Sequence, residues 1–223
     1  MKLFETIRIQ DGTPQHLHYH DLRLNHTRKA LFGIDRETTL AEHLTQLPPK
    51  GLYRAKVIYD AERISVHYYR YRPKSITTLY LTEADIDYSY KYLDRTPFAK
   101  LLSPRAPLPT VKHAPHSSPF TIHYSLFTIH YSDILITQNG LLTDTTIANI
   151  ALREDGVWYT PATPLLPGTT RARLLDSGRL RLRDIHKDTL SRYDGFALMN
   201  AMIGFSKQKL EIRDTLTGNI FNF

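Results

Sequence analysis

The sequence predicts an α+β protein in two parts, a small domain over residues 1–84 and a larger β-rich one over 85–223. Three observations carry that expectation. Short runs of alternating apolar and polar residues recur through both halves, as half-buried strands require. Helical spacing is confined to a few brief stretches. Between the halves, the segment Glu83–Asp87 carries few signals of either kind and is the candidate hinge. A chain of 223 residues can bury the core that such an arrangement needs.

The elements follow in order. "LFETIRIQDGTPQHLHYH" (3–20) reads as two alternating runs around Asp11-Gly12, a hairpin. "HDLRLNHTRKALFG" places Leu22, Leu24, Ala30 and Leu31 at helical spacing and closes on Gly33 as a cap. A second helix, "TTLAEHLTQL", ends before Pro48. "LYRAKVIYDAERISVHYYRYRP" is another hairpin and "SITTLYLTE" a further strand, giving ββααβββ for the small domain. Beyond "YSYKYLDR", the run "RTPFAKLL" is a short helix, and residues 103–119, rich in Pro, Ser and His, are a loop. "FTIHYSL" (120–126) is then followed by the near-copy "FTIHYSD" (127–133). Repeat folds need periods of roughly 20 residues or more, so this is a local duplication lengthening one hairpin, part of an insert at about 104–132. "DILITQNGLLTD", "ANIALREDGVWYTPA", the helix "TTRARLLDSG" and "FALMNAMIGFSKQKLEI" make the rest a barrel-like sheet with few helices. A crevice between two such domains is a natural ligand site.

Composition narrows the function. The hydrophobic fraction of 41% and charged fraction of 23% are those of an ordinary soluble globular protein. No apolar run approaches the roughly 18–20 residues that span a bilayer, and the first residues alternate like a strand instead of forming a signal-peptide core. A cytoplasmic enzyme without membrane contact is the expectation. The absence of cysteine excludes disulfides, thiolate catalysis and cysteine-based zinc sites. The net charge of +7 is spread along the chain without a basic run or a recognition-helix signature. That argues against nucleic acid and for a small anionic substrate.

Four features bear chemistry, and each alone also has a plain structural reading. Lys91 sits among Tyr88, Tyr90 and Tyr92; an amine desolvated by aromatic rings loses basicity and can attack a carbonyl. A snorkelling strand-end lysine is the plain alternative. In "LLPGTTRARLL", Thr169 and Thr170 open a helix whose free N–H groups suit a phosphate, or simply cap it. In "LLTDTTIANI", Asp144 is able to hold a proton on a ring nitrogen while Asn149 braces the same turn; otherwise it is a surface carboxylate. Arg23, on an apolar helix face in "HDLRLN", needs an anionic partner, either a phosphate or a structural carboxylate.

Taken in order and spacing, "FETIRI…DG…H…RL", "YKYLDR", "GLLTDTTIANI" and "TPATPLLPGTTRARLL" resemble the class IV aminotransferases, the fold-type IV pyridoxal-phosphate enzymes. Among them the chain is most similar to the short bacterial 4-amino-4-deoxychorismate lyases. The resemblance spans residues 3–32, 52–60, 86–101 and 133–203. It implies pyridoxal 5′-phosphate as cofactor, a homodimer, no metal, and a lyase of folate synthesis. A transaminase of branched-chain or D-amino acids is the alternative within the same fold, and a non-catalytic phosphate-binding protein the alternative outside it. The Schiff-base lysine then falls on Lys91, with Lys100 matching nothing. The phosphate contacts fall on Arg23, Thr169 and Thr170, and the partner of the pyridine nitrogen on Asp144, where many relatives place Glu. A basic residue for the substrate carboxylate falls on the strand "YRAKV", as Arg54 or Lys56, with Arg8 a weaker candidate. His16, His18 and His20 share a strand face on this reading but lack an acidic partner for a metal.

Overall fold

The computed structural model describes residues 1–102 and 130–223, excepting the side chains of residues 130 and 131. Strand β1 (Leu3–Gln10) alternates strictly, with Leu3, Glu5, Ile7 and Ile9 turned to the core. Phe4, Thr6, Arg8 and Gln10 point the other way, as a period of two dictates. The core face packs on Ala55, Val57 and Tyr59 and on Leu24 and Leu40. Each fully buried aliphatic side chain there contributes about 1.5–3 kcal/mol.

The first hairpin is shorter than the sequence suggests. Asp11 and Gly12 turn the chain with positive φ, but β2 is only Thr13–Pro14, and α1 already begins at Leu17 and runs to Phe32. Pro14 has no N–H to extend the ladder. Leu17, His20, Leu24, Thr27 and Leu31 also form a helical stripe, all packed or buried toward the small-domain core. The three histidines therefore share no strand face: His16 precedes the helix in a left-handed conformation, and only His20 is buried. Among the described residues no group of three potential metal ligands exists. Helix α1 ends as expected at Gly33, whose φ of 67° lets its N–H reach Lys29 O while Ile34 N reaches Arg28 O. Helix α2 spans only Leu40–His43, not ten residues. Strands β3 (Leu52–Tyr59) and β4 (Ile64–Arg70) complete a four-stranded sheet of order β2-β1-β3-β4.

Strand β5 (Ser75–Glu83), expected in the small domain, belongs to the other sheet. It runs parallel to β6 (His130–Gln138) and to β13 (Glu211–Asp214), so the two sheets part between Arg70 and Ser75 rather than at residue 84. Its buried Ile76, Leu79 and Leu81 pack with Leu135, Ile150 and Ile212. Local pattern gives a strand but not its neighbours. The expected hinge at 83–87 is tied down: Glu83 accepts from Thr137 Oγ1 and Asn139 N, and Gln138 Nε2 donates to Ile86 O.

After α3 (Thr96–Leu102) the larger part contains β7 (Leu141–Thr145), β8 (Asn149–Glu154), β9 (Val157–Pro161), α4 (Thr169–Asp176) and β10 (Arg181–Arg183). It closes with β11 (Gly195–Asn200), β12 (Gly204–Gln208), β13 and β14 (Ile220–Asn222). These build a ten-stranded sheet, β10-β9-β8-β7-β6-β5-β13-β14, which branches at β8 to take in β11 and β12. Of the insert expected at about 104–132, residues up to 129 lie outside the described part, as does the first heptad copy; the last four residues of the second copy open β6. Among the described residues no helix is long and apolar enough to cross a membrane.

Candidate active site

A cavity of about 400 Å³ lies between the two sheets. Lys91 reaches its wall because the segment around it pairs with the start of β1. Phe4 N donates to Lys91 O at 3.0 Å, Leu93 N to Lys2 O at 2.9 Å, and Leu3 faces Tyr92 in a bridge. Tyr88 and Tyr92 anchor this segment by packing on Phe98, Ile134 and Ile136. The ring that Lys91 Nζ faces, however, is Phe4, 4.8 Å away. Removal from water lowers the amine's pKa to about 7, with the Arg23 and Arg95 cations acting in the same direction against Glu5 and Asp144. Lys100 is exposed on α3 and is not on this wall.

Arg23 has the anionic partner that an inward arginine requires, and it is Glu5. The two groups form a fork, Nε to Oε1 at 2.8 Å and Nη2 to Oε2 at 2.6 Å. Arg23 Nη1 also donates to Pro167 O at 3.2 Å, reaching from α1 across to the turn that opens α4. Glu5 is wholly buried and also lies 2.7 Å from His20 Nδ1. Despite burial, Arg23 and His20 hold its pKa far below the usual carboxylate range.

The other end of the cavity is built on one tight turn. Asp144 and Asn149 face each other at the ends of β7 and β8. Asn149 Nδ2 donates to Asp144 Oδ1 at 2.7 Å and to Leu166 O at 2.8 Å, while Leu166 N donates to Asp144 Oδ2 at 2.9 Å. Burial nevertheless pushes Asp144 up to about 6, with those hydrogen bonds and the nearby Arg171 opposing. Gly168 is required here by space rather than by dihedral angle: a Cβ would lie 1.9 Å from Asn149 Oδ1. Thr169 lines the cavity beside Gly168, the residue that caps the start of α4. Thr170 is buried but does not reach the cavity wall. Arg171, also buried, holds the carbonyl oxygens of Pro161 and Ala162 at the start of the loop leading to this turn.

The outward face of β1 and β3 forms the third side. Arg54 and Lys56 both line the cavity. Lys56 Nζ lies 5.3 Å from the Phe4 ring and Arg54 stacks 5.2 Å from Tyr69. Arg54 Nε is buried without a hydrogen-bond partner among the described residues. Arg8, directly opposite Arg54 in the ladder, is instead committed to Met202 O at 2.5 Å and is not on the wall.

The structure thus brings Lys91, Arg23, Asp144, Asn149, Thr169, Arg54 and Lys56 to one cavity and leaves Thr170 and Arg8 off its wall. Sequence reading missed Glu5, although a carboxylate at an inward position of an alternating strand is a usable signal. It also missed Arg95, which is stacked 4.1 Å from the Phe98 ring, donates to Tyr88 Oη and Thr146 O, and lines the cavity. The end of β11 and the turn that follows, Met199–Met202, carry no pattern that marks them, yet they form one side of the cavity.

Such an arrangement suits carbonyl chemistry on a phosphate-bearing cofactor, with a weakly basic lysine as covalent anchor. Residues 2–207 match the family model Amino-transferase class IV, and the chain belongs to that family of pyridoxal-phosphate enzymes. An uncharacterized protein of Haemophilus influenzae is 30% identical over 207 residues, covering 91% of this chain and 98% of its own. A crystal structure from Haemophilus somnus, provisionally named a 4-amino-4-deoxychorismate lyase, superposes with a TM-score of 0.73 at 28% identity, over 91% of this chain and 97% of that one. One from Mesorhizobium loti, provisionally named an amino-acid aminotransferase, gives 0.69 at 23% identity over 94% and 99%, and shares the fold.

Proposed function

We propose that this protein converts 4-amino-4-deoxychorismate to 4-aminobenzoate and pyruvate, a step of folate synthesis, as a cytoplasmic homodimer. The observation that carries the reading is the basic wall. Arg54 and Lys56 lie on the sheet face that also presents Phe4 to Lys91, and Arg54 Nε has no hydrogen-bond partner among the described residues. A small substrate with two carboxylates matches two cations on that face. The lyase name of the Haemophilus somnus structure points the same way.

The residues present fit the cofactor. Lys91 would anchor it, Arg23 with Gly168 and Thr169 would hold its phosphate, and Asp144 would face the pyridine nitrogen. When bound, pyridoxal phosphate supplies an aldehyde for the substrate amine and a ring that takes up electrons. Lys91 would take the proton from the substrate ring carbon that bears the nitrogen, and would later give a proton to the departing enolpyruvyl group. A pKa of about 7 suits both tasks, since base and acid forms then coexist near neutrality. Asp144, kept in place by Asn149 and Leu166, would share a proton with the ring nitrogen. Arg54 and Lys56 orient the substrate carboxylates.

Measuring 4-aminobenzoate release against amino-group exchange tests the choice of reaction. The specificity constant for 4-amino-4-deoxychorismate should exceed that for any amino acid and 2-oxoglutarate pair by more than about tenfold, the difference that one charge-assisted hydrogen bond makes. A branched-chain or D-amino acid ahead of it would assign a transaminase.

A further inference from the structure

Glu5 is a strongly held charge beside the cavity to which the reaction assigns no task. It lies on the core face of β1 between Leu3 and Ile7, fully buried, where a carboxylate is costly unless it is fully paired. It is not on the cavity wall; it touches Arg23 from behind. An arginine side chain carries five N–H groups in a rigid plane. Glu5 takes two of them and Pro167 O a third, which leaves one on each terminal nitrogen. Pro167 directly precedes Gly168 and Thr169, so the same guanidinium links the four-stranded sheet to the start of α4.

We infer that Glu5 is the positioning residue for the anion-binding end of the site, clamping Arg23 so that its remaining N–H groups and the start of α4 converge on the cofactor's phosphate. The inference rests on the cofactor, not on which reaction follows. Two effects compete, and they have opposite signs. As a bare charge, Glu5 repels an incoming phosphate, so its removal would tighten binding. As a clamp, it fixes a long, rotamer-rich side chain, so its removal frees the guanidinium and weakens binding. The two-pronged geometry, with both oxygens engaged and His20 bonded behind, favours the clamp.

The test is titration of the apoprotein, wild type and Glu5→Gln, with pyridoxal phosphate and with phosphate-free pyridoxal, following absorbance, and competition by inorganic phosphate. Glu5→Gln should weaken pyridoxal phosphate and inorganic phosphate by about tenfold or more, the scale of a charge-assisted hydrogen bond, while the affinity for pyridoxal stays the same. Glu5→Asp keeps the charge one methylene short and should give an intermediate loss; it carries the test alone if Glu5→Gln does not fold. Unchanged or tighter phosphate binding, or equal losses for pyridoxal and its phosphate, would overturn the assignment. Because no substrate is used, these outcomes do not depend on the lyase reading.

Discussion

Two buried carboxylates flank the cavity from opposite sheets, and their surroundings have set them to opposite tasks. Glu5, on the four-stranded sheet, meets a guanidinium fork and a histidine, and it is held ionised far below the usual range. Asp144, on the β7–β8 turn, meets only an amide and a backbone N–H at contact distance, and burial raises it to about 6. Burial alone raises both. A cation in direct contact decides which carboxylate remains a fixed charge and which remains able to share a proton. Lys91 lies between them and is influenced by both.

The largest effect should come from the group between the two carboxylates. Lys91→Ala should lower turnover by about 10³-fold or more and abolish the visible band of the lysine-bound cofactor. Borohydride reduction of the wild type followed by peptide mapping should place the pyridoxyl group on Lys91; label on the exposed Lys100 would reassign the anchor.

Next is the carboxylate that still titrates. Asp144→Asn should lower turnover by roughly 10²-fold or more with the cofactor retained, because Arg23, Gly168 and Thr169 would still hold the phosphate. The same substitution separates the two carboxylates thermodynamically. Asp144 rises from 3.8 to about 6 on folding, so the native state binds more protons in that window and stability falls as pH climbs through it. Replacing it should therefore stabilise the apoprotein above pH 6, by at most on the order of 3 kcal/mol. Glu5 has the reverse linkage: its contribution is present above about 4.5 and lost as pH drops below that. Thermal melts of apo Asp144→Asn across pH 4–8 decide this; a destabilised variant at pH 7.5 would mean Asp144 is bound as firmly as Glu5.

On the wall between the two ends, Arg54→Ala and Lys56→Ala should raise KM for the dianionic substrate by about 10- to 100-fold each, with cofactor affinity unchanged. If only one does so, the substrate is read by a single cation on this strand. The smallest effect is expected from deleting residues 120–126, the first heptad copy. The second copy still supplies the start of β6, and loop length alone changes stability little, so turnover should stay within roughly twofold. An insoluble deletion variant would contradict this.

The sequence by itself determined most of the strands, the Gly33 cap and the α3 helix. It also raised Lys91, Arg23, Asp144, Asn149 and Thr169 as candidates, which the order and spacing of their motifs, through the family resemblance, tied to one site, while Arg95 and the end of β11 carried no such mark. Its errors were of two kinds. Where two periods fit one stretch, as in "QHLHYH", strand and helix were not separable until Leu17 and Leu24 found a common core. Where the answer was a choice of partner, no local signal existed. β5 joins the larger sheet because its buried face matches Leu135 and Ile212, not because of its own pattern. Phe4 rather than a neighbouring tyrosine faces Lys91, and Glu5 rather than a ligand engages Arg23, because β1 pairs with the Lys91 segment and packs on α1. Burial and the distances between charges fix how basic an amine or how acidic a carboxyl becomes, and only the folded chain sets those distances.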